Sequence, residues 1–391
     1  MQLKNNKNQK LFLTHTLIRE FFYSLWKLGW VFLLVNGTSL LVLLTGILLY
    51  RFFSSHFLLY FSRKYFSKLD FQSQALISIL VQSLFLISFL FANDGLIFFA
   101  ITILLSCLSE IFYWPLRNNI QRLSVKNKKL GRNVALTKNS KNLAVIFWYL
   151  ISGVWLVFEP TITLLIGSLW MFLSYIPLSK ITIKNLWKWD DKFIKSFFNY
   201  KEKLSILKKH SSVTSYLLIW LIIELVNWII PILLVYYGAT IIELWIILVV
   251  VQVVSIFFHY IVWKFEDLDV KYILNGSIIL LLVIFILFAF LDNTYLSILL
   301  VLFSILWIWI EIWITSKAQK LIKSNYSKFD GGYVLVWASN LWRTLVLPVI
   351  LILYFFKDLV SFHTMILFYW FFALLLIFIL NNNFKKSWTM K

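Results

Sequence analysis

Apolar residues in this chain fall into blocks of about twenty separated by short polar gaps, and no other feature limits its fold as tightly. A block of that length, wound as an α-helix at about 1.5 Å per residue, spans the hydrocarbon layer of a bilayer. Lipid offers no partner to a bare N–H or C=O, so the blocks must satisfy their backbones as helices and bundle together. They lie at 14–35, 39–60, 72–92, 96–116, 143–158, 162–179, 213–237, 241–263, 272–290, 294–316, 333–356 and 360–380. The expected fold class is therefore an all-α polytopic membrane protein of 12 transmembrane helices. A soluble chain of 391 residues would alternate its polarity, whereas this one is 61% hydrophobic with 14% charged residues gathered mostly in the gaps.

The formal charge of +20 is set by where the cations lie. Alternate gaps hold 32 of the 37 Lys and Arg, and the opposite gaps hold Lys357 alone. By the positive-inside rule both termini and the long gaps face the cytoplasm of a multi-pass cell-membrane protein. Anionic lipid headgroups then account for the basicity, so the bilayer is the expected partner and nucleic acid is not. A composition rich in Lys, Asn, Ile and Phe points to an AT-rich bacterium, hence a bacterial plasma membrane. The opening "MQLKNNKNQK" resembles a signal n-region, but no small-residue cleavage site follows, so the first helix is read as retained. Cys107 is the one cysteine, which excludes an intramolecular disulfide.

The longest gap, 180–212, separates six helices from six. The expected units are an N-terminal bundle over 1–185, a cytoplasmic central loop over 186–212 and a C-terminal bundle over 213–391. In the loop, Leu186, Trp189, Phe193, Phe197 and Leu204 recur near helical spacing among lysines, the pattern of a helix lying in the membrane interface. An ordinary solvated linker is the alternative. An offset of 201 residues pairs Arg63 with Lys264, Glu110-Ile111-Phe112 with Glu311-Ile312-Trp313, Gly131 with Gly332 and Asn139 with Asn340. Each pair falls at the same place in the two halves, as in transporters built from internal repeats.

Six plus six helices, a long basic central loop and cytoplasmic termini resemble the major facilitator superfamily of secondary transporters. "FYWPLRNNIQRL" is similar to the fourth helix of that family running into its basic turn. "LGRNVALTKNSKNLAVIF", residues 130–147, resembles the entry to the fifth helix in bacterial exporters of the superfamily. The loop signature of the family, Gly-x-x-x-Asp-Arg-x-Gly-Arg-Lys, falls on "LLYFSRKYFSKL", where Arg63 and the basic ending remain while Leu58, Ser62 and Tyr65 replace the two glycines and the aspartate. The resemblance implies alternating access, with helices one, two, four and five facing seven, eight, ten and eleven around a midplane cavity.

A charge near the middle of a spanning helix costs about 2.5 to 3.5 kcal/mol on insertion scales, so each one is expected to face a cavity or a partner. In the first half these are Arg19, Glu20, Lys27, Arg51 and Glu110; in the second, Glu224, Glu311 and Arg343. Glu20, Arg51 and Glu110 sit at similar depths on the cytoplasmic side of the midplane, as one ion cluster would require. Glu224 and Arg343 fall at the centres of helices seven and eleven, which the resemblance places on the cavity. Asn227 and Trp228 share a face with Glu224, and Asn340 neighbours Arg343. Such a wall suits a small solute with an apolar body and a few polar groups.

Glu110 is expected inside the bundle, either taking up a proton as access alternates or paired statically, and Arg117 at the cytoplasmic end of its helix. Asp94, Glu159, Glu243 and Asp292 lie at outer helix ends and are given no role in transport. The histidines show no metal-ligand spacing, and no nucleophile elbow or phosphate loop occurs. The expectation is a proton-coupled exporter of a small amphipathic solute, not an enzyme, acting as a monomer with a proton or other coupling ion and with neither cofactor nor metal. The alternatives are an integral-membrane transferase working on a lipid-linked substrate, and a non-transporting sensor or immunity protein derived from a transporter.

Overall fold

The structure, a computed structural model, describes residues 2–56, 65–123, 136–137, 139–147, 159–182 and 240–264, with the single positions 279, 283 and 355. Among these residues every regular element is helical. The first span is a pair, α1 (Gln2–Tyr23) and α2 (Leu25–Val35), followed by α3 (Leu40–His56), α4 (Phe71–Ser88) and α5 (Leu96–Leu123). The fifth span is helical over 139–147. The sixth is α6 (Pro160–Trp170), a 3-10 turn (Met171–Ser174) and α7 (Tyr175–Ser179), and the eighth is α8 (Ile241–Lys264). Helices 71–88, 96–118 and 161–179 are each long and apolar enough to cross a membrane.

Two predicted ends move. The first helix begins at Gln2, not at residue 14, because its polar opening packs instead of fraying. Asn8 donates from Nδ2 to the Thr182 carbonyl at 2.8 Å and accepts from the Thr182 N–H at 3.3 Å. Phe12 joins Ala75, Leu116, Ile120, Leu178 and Ile181 in one apolar cluster. The fourth span continues past 116 through Pro115 and on to Leu123, so Arg117 lies inside a helix and not at its end.

Local signals explain the stops. Gly37 (φ 97°) closes α2 in a Schellman turn, with Gly37 N–H bonded to the Leu34 carbonyl and Thr38 N–H to that of Leu33. Asp70 caps α4 by accepting from the N–H groups of Gln72 and Ser73. With the Ser73 hydroxyl also donating, this exposed carboxyl is held below the usual carboxylate range. Thr240 and Glu243 cap α8 reciprocally: Thr240 N–H donates to Glu243 Oε2 at 2.7 Å and Glu243 N–H to Thr240 Oγ1 at 3.2 Å.

The antiparallel helices α4 and α5 form the broadest contact, α3 lies on α5, and α1 packs against the 3-10 turn and α7. Two glycines set close approaches near the Gly37 and Gly95 turns. A Cβ on Gly29 would stand 2.6 Å from the Phe89 ring, and one on Gly46 2.7 Å from Phe99. Small residues let helices in lipid come this near.

Candidate functional site

Inside the first-half bundle the apolar packing gives way to a connected set of polar side chains. Its centre is Arg19 on α1, 1% exposed. Its Nε donates to Gln82 Oε1 of α4 at 2.8 Å and its Nη1 to Glu20 Oε1 at 2.5 Å. The guanidinium carbon stands 4.1 Å from the Tyr23 ring centre and 3.7 Å from that of Tyr113 on α5. A buried cation is tolerable only when charge and hydrogen bonds are both met, and here a carboxylate, an amide and two ring faces meet them.

Glu20 is 4% exposed and has a second cation, Lys141 of the fifth span, with Nζ 3.9 Å from Oε2. Glu110 on α5 is also 4% exposed and accepts from the Tyr50 phenol of α3. One residue before it, Ser109 is bonded to the Tyr23 hydroxyl at 3.0 Å. The surroundings of the two carboxylates thus touch through Tyr23, which sits one turn beyond Arg19 and beside Ser109. Cys107, one turn before Glu110, donates its S–H to the Tyr50 carbonyl at 3.3 Å and so steadies the α3 to α5 contact.

His15 ties α1 to two further spans. Its Nδ1 lies 2.8 Å from the Ser174 carbonyl and its Nε2 3.1 Å from the Tyr113 hydroxyl. A carbonyl can only accept, so Nδ1 carries the hydrogen and, in the neutral ring, Nε2 accepts from the phenol. Arg117 stands 4.7 Å over the Trp114 ring and faces the Tyr113 phenol from the next turn.

Of the residues singled out from the sequence, Glu20 and Glu110 are inside the bundle. The side chains of Lys27 and Arg51 lie outside the described set, as do Arg63, Glu224, Asn227, Trp228, Glu311, Asn340 and Arg343. Of these two carboxylates, Glu20 is paired with Arg19 and Lys141 while Glu110 accepts from Tyr50. The sequence reading passed over Gln82, Tyr50, Tyr113, His15 and Lys141. One signal was available: Gln74, Ser78 and Gln82 recur every fourth residue in an otherwise apolar block, and all three are buried on one face of α4.

What the arrangement can do follows from its groups. A desolvated carboxylate next to a phenol or an ammonium can exchange partners or protons at small geometric cost, whereas the doubly stacked Arg19 is a permanent charge. Among the described residues no cluster of His, Cys, Asp or Glu has the makings of a metal site.

Sequence comparison matches no protein family and no curated protein. Comparison of folds does find relatives. A bacterial homologue of the iron transporter ferroportin, in an outward-facing state, aligns with TM-score 0.66 at 12% identity over 98% of this chain and 99% of that one. The E. coli fucose:proton symporter aligns with TM-score 0.65 at 12% identity over 97% and 98%. The human organic anion transporter MFSD10 gives 0.62 at 11% identity over 96% and 99%. The three are described as transporters or as a transporter's homologue, and each is matched along nearly its whole length. This integral membrane protein is built on the major facilitator fold.

Proposed function

We propose that the protein is a secondary active transporter that exports a small amphipathic solute in exchange for protons by alternating access. The observation that carries the reading is the pair Glu20 and Glu110, each 4% exposed and held by partners from other spans of one bundle. Maintaining two buried carboxylates is costly, and helix packing alone has no need of them. In this reading Glu110 and Glu20 exchange protons or partners as access alternates. Glu224, Asn227, Trp228, Glu311, Asn340 and Arg343 supply the facing wall from the second half, with Lys27 and Arg51 completing the pathway and Arg63 the inner loop. The halves are 1–185 and 213–391, the termini are cytoplasmic, the membrane is the bacterial plasma membrane and the working unit is a monomer.

Export rests on the segment 130–147 and its likeness to exporters. Proton-coupled uptake is the second reading, favoured by fold neighbours that are proton symporters for fucose and for D-xylose.

The test is the collapse of a preformed pH gradient in inverted membrane vesicles across a solute panel, with Glu110→Gln and Glu224→Gln beside the wild type. Export by exchange predicts that a solute releases protons through the wild type and that a variant still inserted and folded loses the response. Proton movement in the same direction as the solute would establish uptake instead. A panel that moves no protons through well-folded protein would turn the reading toward the transferase or the non-transporting relative.

A further inference from the structure

Arg19 and Lys141 are held at Glu20 in different ways. Arg19 is stacked between Tyr23 and Tyr113 and bonded to Gln82, so its guanidinium leaves only by giving up all of these. Lys141 has a side chain 34% exposed and an ammonium 3.9 Å from the carboxylate, beyond hydrogen-bond distance. Its three N–H donors are uncommitted among the described residues, on a stem of four flexible carbons. Of these two cations, Arg19 is fixed at Glu20 and Lys141 can be drawn away.

Two buried donors in the neighbourhood lack an acceptor among the described residues, as one buried acceptor, Asn139 Oδ1, lacks a donor. Gln82 gives its carbonyl oxygen to Arg19, which turns its amide nitrogen the other way, and that buried nitrogen has no acceptor among the described residues. The buried Nε of Arg117 likewise has none. Tyr113 lies under Arg19 and faces Arg117, so two guanidiniums flank one phenol beside Glu20. Of these cations Arg19 is buried whereas Lys141 and Arg117 are partly exposed, and a group of cations between low-dielectric walls draws anions toward those that reach the surface.

We propose that Lys141 is a solute-reading residue: it leaves Glu20 for the anionic group of an organic acid, so that the transported class is small amphipathic carboxylates. Glu20 then acts as a built-in competitor, occupying Lys141 when no anion is present and yielding it when one arrives. This deepens the transporter reading and rests on it. The two fail separately, because anion binding is measured below with no gradient applied.

The experiment is calorimetric titration of the full chain in phosphatidylcholine nanodiscs with 4-phenylbutyrate, and with 4-phenylbutyramide as the uncharged match. The expected result is saturable binding of the acid alone, weakened at least fivefold in Lys141→Gln and kept in Lys141→Arg. Glu20→Gln, by removing the competitor, is expected to bind the acid several-fold more tightly, which loss of a merely structural ion pair would not produce. Thermal unfolding of each variant confirms that it is folded. Equal binding of acid and amide, unchanged affinity in Lys141→Gln, no binding of the acid by the wild type, or weaker binding in Glu20→Gln would each overturn the proposal. Repeating the wild type in nanodiscs containing phosphatidylglycerol separates solute from lipid: undiminished binding is expected, and its abolition would assign Lys141 to a headgroup.

Discussion

The first-half bundle joins its spans in two ways at two depths. Near the turns at Gly37 and Gly95 the joints are steric: Gly29 takes the Phe89 ring and Gly46 the Phe99 ring, at separations that leave no room for a Cβ. About ten residues back along the first span from Gly29, some 15 Å along the helix, the joints are polar and built on Arg19, Glu20, Gln82 and Tyr113. A steric joint has a single arrangement, since the volume is either filled or not. A polar joint has alternatives, because a carboxylate can exchange one donor for another. The steric joint is therefore expected to tolerate no added volume, and the polar joint to tolerate the exchange of one donor for another.

The widest break in that contrast is expected from Arg19→Ala, which leaves Glu20 buried without its main cation. Loss of about 3 to 5 kcal/mol is expected in thermal or denaturant unfolding of the purified protein. The double replacement Arg19→Met with Glu20→Leu should recover most of it, because the uncompensated charge is gone. Next comes Gly29→Val on the steric side. Phe89 is itself boxed by Trp30 at 5.3 Å and Phe85 at 5.0 Å, so the ring cannot step aside, and a loss of about 3 kcal/mol is expected. Gly46→Val meets the tip of Phe99 and an Ile103 methyl and should cost less by the same assay.

A smaller change sharpens the polar side. Tyr50→Phe removes the donor to Glu110 without changing ring volume, and a loss of about 1.5 kcal/mol is expected together with an altered pH dependence of gradient collapse. The smallest effect belongs to Asp70, outside both joints. Its carboxyl is held below the ordinary range by Ser73 and by the first-turn N–H groups, so the cap contributes stability above the unfolded pKa and loses it as pH falls through the folded one. Unfolding followed from about pH 6 down to about pH 3 should show this decline in wild type and its absence in Asp70→Asn, which still caps as a neutral group.

The described spans were legible because burying a helix in lipid demands a long apolar run; those predicted at 213–237, 272–290, 294–316, 333–356 and 360–380 lie outside the described residues but for single positions. Their ends were harder. The residues before 14 fell outside the predicted first helix, yet Asn8 and Phe12 find partners at Thr182 and Leu178, some 170 positions away, which no local pattern announces. Glu20 and Glu110 stood out from the sequence because charge is costly in hydrocarbon. Their partners did not, since Tyr50 and Tyr113 are two of 18 tyrosines and Gln82 is neutral. Lys141 went unremarked for a related reason: a lysine near a helix start is unexceptional until the opposing carboxylate is known.

The His15 contacts have a sense of direction. The carbonyl of Ser174 fixes the hydrogen on Nδ1, the imidazole passes that constraint to Nε2, and the Tyr113 hydroxyl must then point its proton at His15. Three spans are thus threaded by a line of dipoles with one polarity, running from α5 through α1 to the 3-10 turn of the sixth span. The line reverses at the phenol only if a second proton reaches the imidazole, and the Tyr113 oxygen would then offer a lone pair to His15 and its hydrogen elsewhere. The packing of these three helices therefore records, in the orientation of one hydroxyl, whether that imidazole is charged.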